Sequence, residues 1–346
     1  MANSYSICVV PGDGIGSEVT GCARRMLDSL ATMPDGPSFS FNEQPAGYGA
    51  WIEFGTSIPQ PTVDAAKAAD AVMLGACDVA RIPAGAGEPL GTLRKELVVN
   101  ASVRPARSVP GISKGTQSID CLVVREVTEG LYSGIEYDAG PDAACAVRLI
   151  TRGASTRAAK VAFEQARMRR KRVTAVHKIG ALKLTDGLFL ECVRAVGADY
   201  PDVELETANV DACAMHMVQH PEQFDVILAT NVFGDILSDL AIGLAAGLGL
   251  APSACVGDRW GYFEPVHGTA PDIAGKGIAN PCATILSAAM MLRHLGETKA
   301  ADAVEAAVLQ VLKDGKVRTG DIGGAATSAQ MTDAIIAAIH AGGRGA

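Results

Sequence analysis

Residues 234–241 read GDILSDLA and place two carboxylates, Asp235 and Asp239, four positions apart. On a helix that spacing puts both on one face. Ile236, Leu237 and Leu240 flank them, as they would on a helix that packs into an interior, where an unpaired charge is costly. The acidic face is therefore either solvated or holds a cation. A third acid, Asp211 in ANVDACAM, would extend the pair to a set with open positions, which suits Mg²⁺ or Mn²⁺, hard cations that prefer oxygen ligands. His216 and His220 are also four apart, but no third nitrogen or sulfur ligand for zinc stands near them.

Three arginines lie near loop or strand ends: Arg94 in TLRKEL, Arg104 in ASVRPAR and Arg125 in VVREVTEGLY. A guanidinium fork matches a carboxylate with two parallel hydrogen bonds, so three arginines in one cleft would suit a di- or tricarboxylic acid. Three that do not converge are separate surface salt bridges, and spacing alone does not decide. Tyr132 follows Arg125 and Glu129, and Lys178 stands at the end of the run RVTAVH. A lysine of lowered pKa can act as a base and a tyrosine can donate a proton. Either residue could equally be structural.

The segment EPVHGTAPDIAGKGIANP (264–281) combines glycines, two inner prolines and small side chains, so its backbone can wrap closely around a flat ligand. Within it, Asp272 could accept hydrogen bonds from both hydroxyls of an adenosine ribose and would repel a 2′-phosphate, which favours NAD over NADP. Near the start, VVPGDGIGSEV reads as a strand, a glycine-rich turn and a helix start. Its G-x-G-x-G spacing is not the dinucleotide fingerprint, so a plain tight turn and a ligand loop both remain open.

The elements that must position these residues alternate. Short β-branched runs at 6–10, 71–75, 121–126, 172–177 and 225–229 are interleaved with helical patterns at 17–31, 61–69, 155–168, 184–198 and 211–219, with further helices at 281–295, 298–313 and 328–341. This alternation predicts an α/β architecture with a largely parallel sheet. Pro/Gly-rich stretches at 83–91 and 105–115 read as loops, and the basic run RMRRKR (167–172) as a solvated helix end. At 346 residues the chain has room for two lobes, since single cores stop growing at roughly 250 to 300 residues. A net charge of -8 argues against nucleic acid or an anionic membrane as partner. Nine scattered cysteines without a CxxC, together with the absence of a leader-like start and of a spanning apolar tract, suggest a cytoplasmic protein with reduced thiols.

Taken together, these segments resemble the NAD(P)-dependent β-decarboxylating dehydrogenases, the family of isocitrate, 3-isopropylmalate, homoisocitrate, tartrate and D-malate dehydrogenases. The resemblance runs from VVPGDGIG at 9 to GGAAT at 323, and FDVILATNVFGDILSDLA and EPVHGTAPDIAGKGIANP carry most of it. TDGLFLE (185–191) and LSDLAIGLAAGLGLAPS (237–253) are most similar to homoisocitrate dehydrogenase. The resemblance implies an isopropylmalate dehydrogenase-like, two-lobed α/β fold with a mixed, largely parallel sheet, not a Rossmann fold. It implies a larger cofactor-binding domain from 1–97 and 247–346, a smaller substrate and dimerisation domain from 98–246, and an active site between them.

Carried over position by position, the resemblance assigns Arg94, Arg104, Arg125, Tyr132 and Leu90 to the substrate, a small di- or tricarboxylic 2-hydroxy acid. Tyr132, Lys178 and Asp211 would be catalytic, and Asp211, Asp235 and Asp239 would hold Mg²⁺ or Mn²⁺. NAD would contact Glu264, His267, Gly268, Thr269, Ala270, Asp272, Ile273 and Asn280. A homodimer is implied, possibly within a higher oligomer, with Lys178 and Asp211 entering the neighbouring subunit's site; a place in amino-acid biosynthesis is implied as well. Family members commonly carry asparagine at the positions of Gly180 and Ala212 and glutamine at that of His216. Isopropylmalate enzymes tend to have two leucines where Leu90 and Gly91 stand, homoisocitrate enzymes an arginine at Gly91, and isocitrate enzymes a serine at Glu88. The best match is oxidation of homoisocitrate or a related malate, with 3-isopropylmalate and isocitrate as alternatives. A non-catalytic regulatory subunit is a reading from another class.

Overall fold

The computed structural model describes residues 3–83, 85–113 and 118–342. Residue 84 and residues 114 and 115, from the two Pro/Gly-rich stretches, lie outside these, as do the first two residues of the N-terminal segment. The chain divides into two compact units, one from residues 1–98, 109–113 and 246–346 and the other from 99–108 and 114–245.

The first unit orders its strands Ser38–Glu43, Ser4–Gly12, Ala71–Ala76, Gly261–Pro265 and Pro252–Gly257. The first three junctions are parallel and the last is antiparallel. Ala71–Ala76 is buried along its whole length, as expected of a parallel strand covered on both faces. The Cys282–His294 helix is buried on most sides, an arrangement its small residues Ala283, Ser287, Ala288 and Ala289 permit. The Thr298–Asp314 helix buries Ala301, Val304, Val308 and Val311, the spacing of three and four that puts one stripe toward a core.

In the second unit the order is Val99–Arg107, Asp120–Glu126, Val226–Ala229, Arg172–His177 and Glu204–Asn209. Only the first junction is antiparallel. The Arg152–Arg167 helix buries Ala154, Ala158, Ala162 and Ala166 in a stripe, and Thr151 caps it by accepting from the Ala154 N–H at 3.2 Å. The fold is thus α/β with mixed, mostly parallel strands.

Three expectations are corrected. Residues 105–107 are not loop: the antiparallel ladder continues through Pro105 opposite Leu122 to Arg107 opposite Asp120. Residues 89–91 begin the Pro89–Glu96 helix, with proline at the first helical position, where its missing N–H costs nothing. The basic run is not simply solvated. Arg169 binds Asp120 and the buried Asp225 at 2.8 Å each, Arg170 binds the Phe224 carbonyl at 2.6 Å, and Arg172 binds Glu204 at 3.0 Å. Among the described residues no helix is long and apolar enough to cross a membrane.

Candidate active site

The paired acids sit on the Asn231–Ala245 helix, which starts directly after the Val226–Ala229 strand and Thr230. The helix buries Asn231, Gly234, Leu237, Ser238, Ala241 and Ile242, so the acids lie at the edge of that stripe. Their side chains are 32% and 61% exposed, and neighbouring Ile236 faces solvent, against the interior placement its apolar character suggested.

Asp235 is neither bare nor merely solvated. Strand register brings Ser102 opposite Arg125 and Arg104 opposite Val123, and both arginines reach the helix. Arg104 Nη1 donates to Asp235 Oδ1 at 3.2 Å and to Ser238 Oγ at 2.9 Å, and lies 3.7 Å from Asp239 Oδ1. Arg125 Nη1 donates to the same Asp235 oxygen. The Tyr132 hydroxyl donates to Asp235 Oδ2 at 2.7 Å, with the Arg125 guanidinium 5.1 Å from the centre of its ring. Burial alone would push the Asp235 carboxyl up, but the charges of Arg125 and Arg104 and the Tyr132 hydrogen bond hold it below the usual carboxylate range. Burial instead raises Asp239, which only the Arg104 and Arg125 charges oppose while Asp235 adds to the shift. Burial and then the Asp235 hydrogen bond raise Tyr132, so its hydroxyl keeps its proton at neutral pH.

Three residues of this cluster were not singled out in the sequence. Asn231 Oδ1 accepts from Arg125 Nε and Nη2 at 3.0 and 2.7 Å, and its Nδ2 donates to the Glu129 carbonyl at 2.9 Å. Ser238 accepts from Arg104. Gly234 lets the arginine through, because a Cβ there would stand 2.8 Å from Arg125 Cβ. Their signal was helical spacing: Asn231 lies one turn before Asp235, and Ser238 beside Asp239.

Lys178 follows the Arg172–His177 strand, and Asp211 opens the Val210–Gln219 helix just after the Glu204–Asn209 strand. These strands are parallel with His177 opposite Asn209, so the next residues of each emerge side by side. Lys178 Nζ donates to Asp211 Oδ1 at 2.6 Å, and this hydrogen bond lowers the Asp211 pKa. His216 and His220 hold their rings 6.4 Å apart. Among the described residues no three His, Cys, Asp or Glu side chains group into a metal cage. Asp211 pairs with Lys178 within its own chain and does not form a group with Asp235 and Asp239. Two acceptor-only carboxylates one turn apart, one of them largely open, still fit part of the oxygen set of a hard divalent ion.

In the first unit, Arg94 is buried on the Pro89–Glu96 helix, and its Nε donates to the Tyr262 hydroxyl at 2.9 Å. Glu88 caps that helix, accepting from the N–H groups of Leu90, at 3.0 Å, and Gly91. A Cβ at position 91 would stand 2.5 Å from Glu88 Oε2, so the two departures from the family pattern belong together. Leu90 is half-buried beside them.

The 264–281 segment is tied to the N-terminal glycine turn. The Thr269 carbonyl accepts from the Ile15 N–H at 2.9 Å, Glu18 accepts from the Ala279 N–H at 2.8 Å, and Ile273 and Ala270 pack on Ile15 and Val19. Ala270 has φ 38, a left-handed conformation that costs a non-glycine residue of order 1–3 kcal/mol and tends to collect where ligands are clamped. Glu264 and Asn280 are buried, Asn280 donating to Asp321 at 3.0 Å, whereas Gly268 and Asp272 are exposed. Burial lowers the His267 pKa and keeps the ring neutral, and its Nε2 is buried with no hydrogen-bond partner among the described residues. A buried orphan nitrogen beside a strained, glycine-rich turn fits a segment that receives a polar cofactor.

Residues 6–336 match the family model described as isocitrate/isopropylmalate dehydrogenase. The chain is 48% identical to the 3-isopropylmalate dehydrogenase of Archaeoglobus fulgidus, over 92% of this chain and 94% of that one. It is 47% identical to the isocitrate/homoisocitrate dehydrogenase of Thermus thermophilus, over 97% and 99%. Its structure resembles the crystal structure of isocitrate dehydrogenase from Methylococcus capsulatus with a TM-score of 0.89 at 42% identity, covering 97% and 99% of the two chains.

Proposed function

The chain belongs to the isocitrate/isopropylmalate dehydrogenase family of NAD-linked β-decarboxylating dehydrogenases, and from that premise we propose that it oxidises a 3-substituted malate at its 2-hydroxyl and releases the carboxylate on C3 as CO₂. The observation that carries this reading is the convergence of Arg104, Arg125 and Tyr132 on Asp235, one helical turn before Asp239.

Arg104 and Arg125, with Arg94 from the first unit, grip the substrate carboxylates. Asp235 and Asp239, with the partner subunit's Asp211, hold Mg²⁺ or Mn²⁺, while the 264–281 segment receives NAD through Glu264, His267, Gly268, Thr269, Ala270, Asp272, Ile273 and Asn280. When bound, NAD takes the hydride, and the divalent ion eases loss of the hydroxyl proton and carries the charge that develops on the oxygen. Lys178 of the partner subunit, coupled to the partner's Asp211, helps remove the hydroxyl proton, acting as the neutral amine once its own proton has passed to solvent. Tyr132 returns a proton to C3 after CO₂ leaves, a role its raised pKa supports. The first unit is thus the cofactor domain, and the second the substrate and dimerisation domain of a homodimer.

Motif likeness puts homoisocitrate first, with 3-isopropylmalate and isocitrate next. Leu90 is the side chain proposed to meet the substituent on C3. All nine cysteines are free thiols, consistent with a cytoplasmic enzyme of amino-acid biosynthesis. The test is a panel of 3-substituted malates with NAD and Mg²⁺ or Mn²⁺, read by NADH absorbance. Turnover of one member, abolished by a chelator, is expected. Silence of the purified chain across the panel would overturn the reading and favour a non-catalytic subunit.

A further inference from the structure

Behind Lys178 lies an ion pair that the proposed chemistry does not use, its acid fully buried and its arginine partly so. The Lys178 backbone N–H donates to Asp186 Oδ2 at 2.5 Å. Asp186, in the first turn of the Thr185–Gly197 helix, is fully buried. Its other oxygen lies 2.7 Å from Arg148 Nη1, an ion contact without hydrogen-bond alignment, while the same nitrogen donates to Thr185 Oγ1 at 2.7 Å. Arg148 Nη2 donates to Thr230 Oγ1 at 3.0 Å, and the guanidinium sits 5.2 Å from the centre of the Phe233 ring. Thr230 and Phe233 bracket Asn231, the residue that holds Arg125.

The turn between Lys178 and Asp186 has little apolar anchorage: Gly180, Ala181, Lys183 and Leu184 are all exposed, Leu184 at 88%. It is held by backbone hydrogen bonds, the Lys178 carbonyl accepting from the N–H groups of Ala181 and Leu182 at 2.9 and 2.8 Å and the Leu182, Lys183 and Leu184 carbonyls from those of Asp186, Gly187 and Leu188. The Ile179 N–H also donates to His177 Nδ1 at 3.2 Å, and the Asp186 carboxylate holds the turn at the Lys178 N–H. A buried ion pair is a poor source of stability, because desolvation of its charges offsets most of their attraction. Its value is geometric, since the paired charges have one well-compensated arrangement.

We propose that Asp186 and Arg148 are positioning residues for Lys178, fixing its backbone and tying it to the Thr230–Phe233 turn from which the arginine-binding cluster is built. The inference rests on the proposed role of Lys178 in removing the hydroxyl proton. A base displaced by about an ångström from its proton loses on the order of a hundredfold in rate, while Arg125 keeps its own two hydrogen bonds to Asn231, so substrate binding through the arginines changes far less.

The test compares Asp186→Asn and Asp186→Ala, using the panel's fastest 3-substituted malate with and without deuterium at C2. Asparagine still accepts from the Lys178 N–H, so kcat should fall about tenfold in Asp186→Asn and on the order of a hundredfold in Asp186→Ala, with KM within about twofold. The deuterium isotope effect on kcat should rise, because the step in which the proton and hydride leave becomes slower. A loss of folded enzyme alone would lower kcat with an unchanged isotope effect and would overturn the proposal, as would unchanged kcat or a KM that rises in proportion. Should the Asp186 variants fold poorly, the double variant Thr185→Ala/Thr230→Val loosens Arg148 without uncovering a charge. It should lose about threefold in kcat with the same isotope signature, and wild-type values there would overturn the proposal. An active wild type whose Asp186 and Thr185/Thr230 variants keep its kcat and isotope effect overturns this inference alone, whereas a wild type silent on the whole panel overturns the functional reading.

Discussion

Asn231 gives the sharpest test of how the candidate site is built. Asn231→Ala removes the acceptor of two Arg125 hydrogen bonds, at 3.0 and 2.7 Å, and the donor to the Glu129 carbonyl at 2.9 Å. Asn231 is 0% and Arg125 3% exposed, so water cannot easily replace what is lost. A hydrogen bond to a charged group contributes about 1.5–3 kcal/mol and a neutral one about 1 kcal/mol. Because the two arginine bonds share one oxygen, their sum is less than additive, and the expected loss is about 3–5 kcal/mol. Asn231→Asp keeps both arginine bonds, now between opposite charges, while its second oxygen faces the Glu129 carbonyl with no proton to donate, and the gain at Arg125 offsets part of that cost, so a net loss of about 1–2 kcal/mol is expected. Urea unfolding at neutral pH reads the difference as a shift in midpoint at constant slope. In parallel, KM for the malate substrate should rise at least about tenfold in the alanine variant, the kinetic equivalent of about 1.4 kcal/mol, and less in the aspartate variant. Equal destabilisation by the two substitutions, or an alanine loss below about 1 kcal/mol, would refute the claim that Asn231 acts through Arg125.

Lys178→Ala and Tyr132→Phe should each lower turnover by on the order of a hundredfold or more. In Tyr132→Phe hydride transfer should survive better than protonation of C3, and equal loss of both half-reactions would contradict the separate roles. Asp272→Lys should move cofactor preference toward NADP in a comparison of kcat/KM with the two nucleotides; unchanged NAD selectivity would put the ribose elsewhere. Burial holds the His267 pKa below its ordinary value, so the stability that comes from its neutral form is present above the unfolded value and lost as pH falls toward the lower folded one. Thermal unfolding between about pH 5 and 7 should show that loss in the wild type and a flatter profile in His267→Gln, the difference reaching at most about 1.4 kcal/mol per pH unit.

Some strands buried on both faces were legible in the sequence, but Val99–Arg107, Pro252–Gly257 and Gly261–Pro265 were missed although largely buried, because proline or glycine interrupts or bounds their apolar runs. Ala71–Ala76 and Val226–Ala229 are unbroken apolar runs and were bounded within one residue. Ser38–Glu43 and Glu204–Asn209 were missed because they are edge strands with partly or fully exposed side chains, whose formation depends on a partner backbone far along the chain. The acid pair was legible because four-residue spacing is a local property of a helix. The partners of Asp235 were not, since Arg125 and Arg104 lie more than a hundred residues earlier and reach it only through the antiparallel register of two strands. For the same reason Asn231 and Asp186 passed unnoticed: helical spacing puts Asn231 one turn before Asp235, but spacing does not tell which arginine arrives beside a buried asparagine or aspartate.

The charges within this cluster also explain how acids on that helix are tolerated. Arg104 and Arg125 offset Asp235 and Asp239, so the four side chains sum to zero before any ligand arrives. A substrate dianion entering alone leaves two uncompensated negative charges in a half-buried setting, and a divalent cation entering alone leaves two positive ones. Together they restore neutrality, as substrate carboxylates take the guanidinium groups from Asp235 and free its oxygens for the ion. Each ligand should therefore tighten the other by the same factor, and couplings of this kind usually amount to about 1–3 kcal/mol, or about 5- to 150-fold. Calorimetric titration of Mn²⁺ with and without saturating D-malate, in the absence of NAD, measures that factor directly. Equal Mn²⁺ affinity in both titrations would mean that the arginines remain with Asp235 when the acid binds, and that the carboxylate pair on the Asn231–Ala245 helix is an ion-paired surface and not a metal seat.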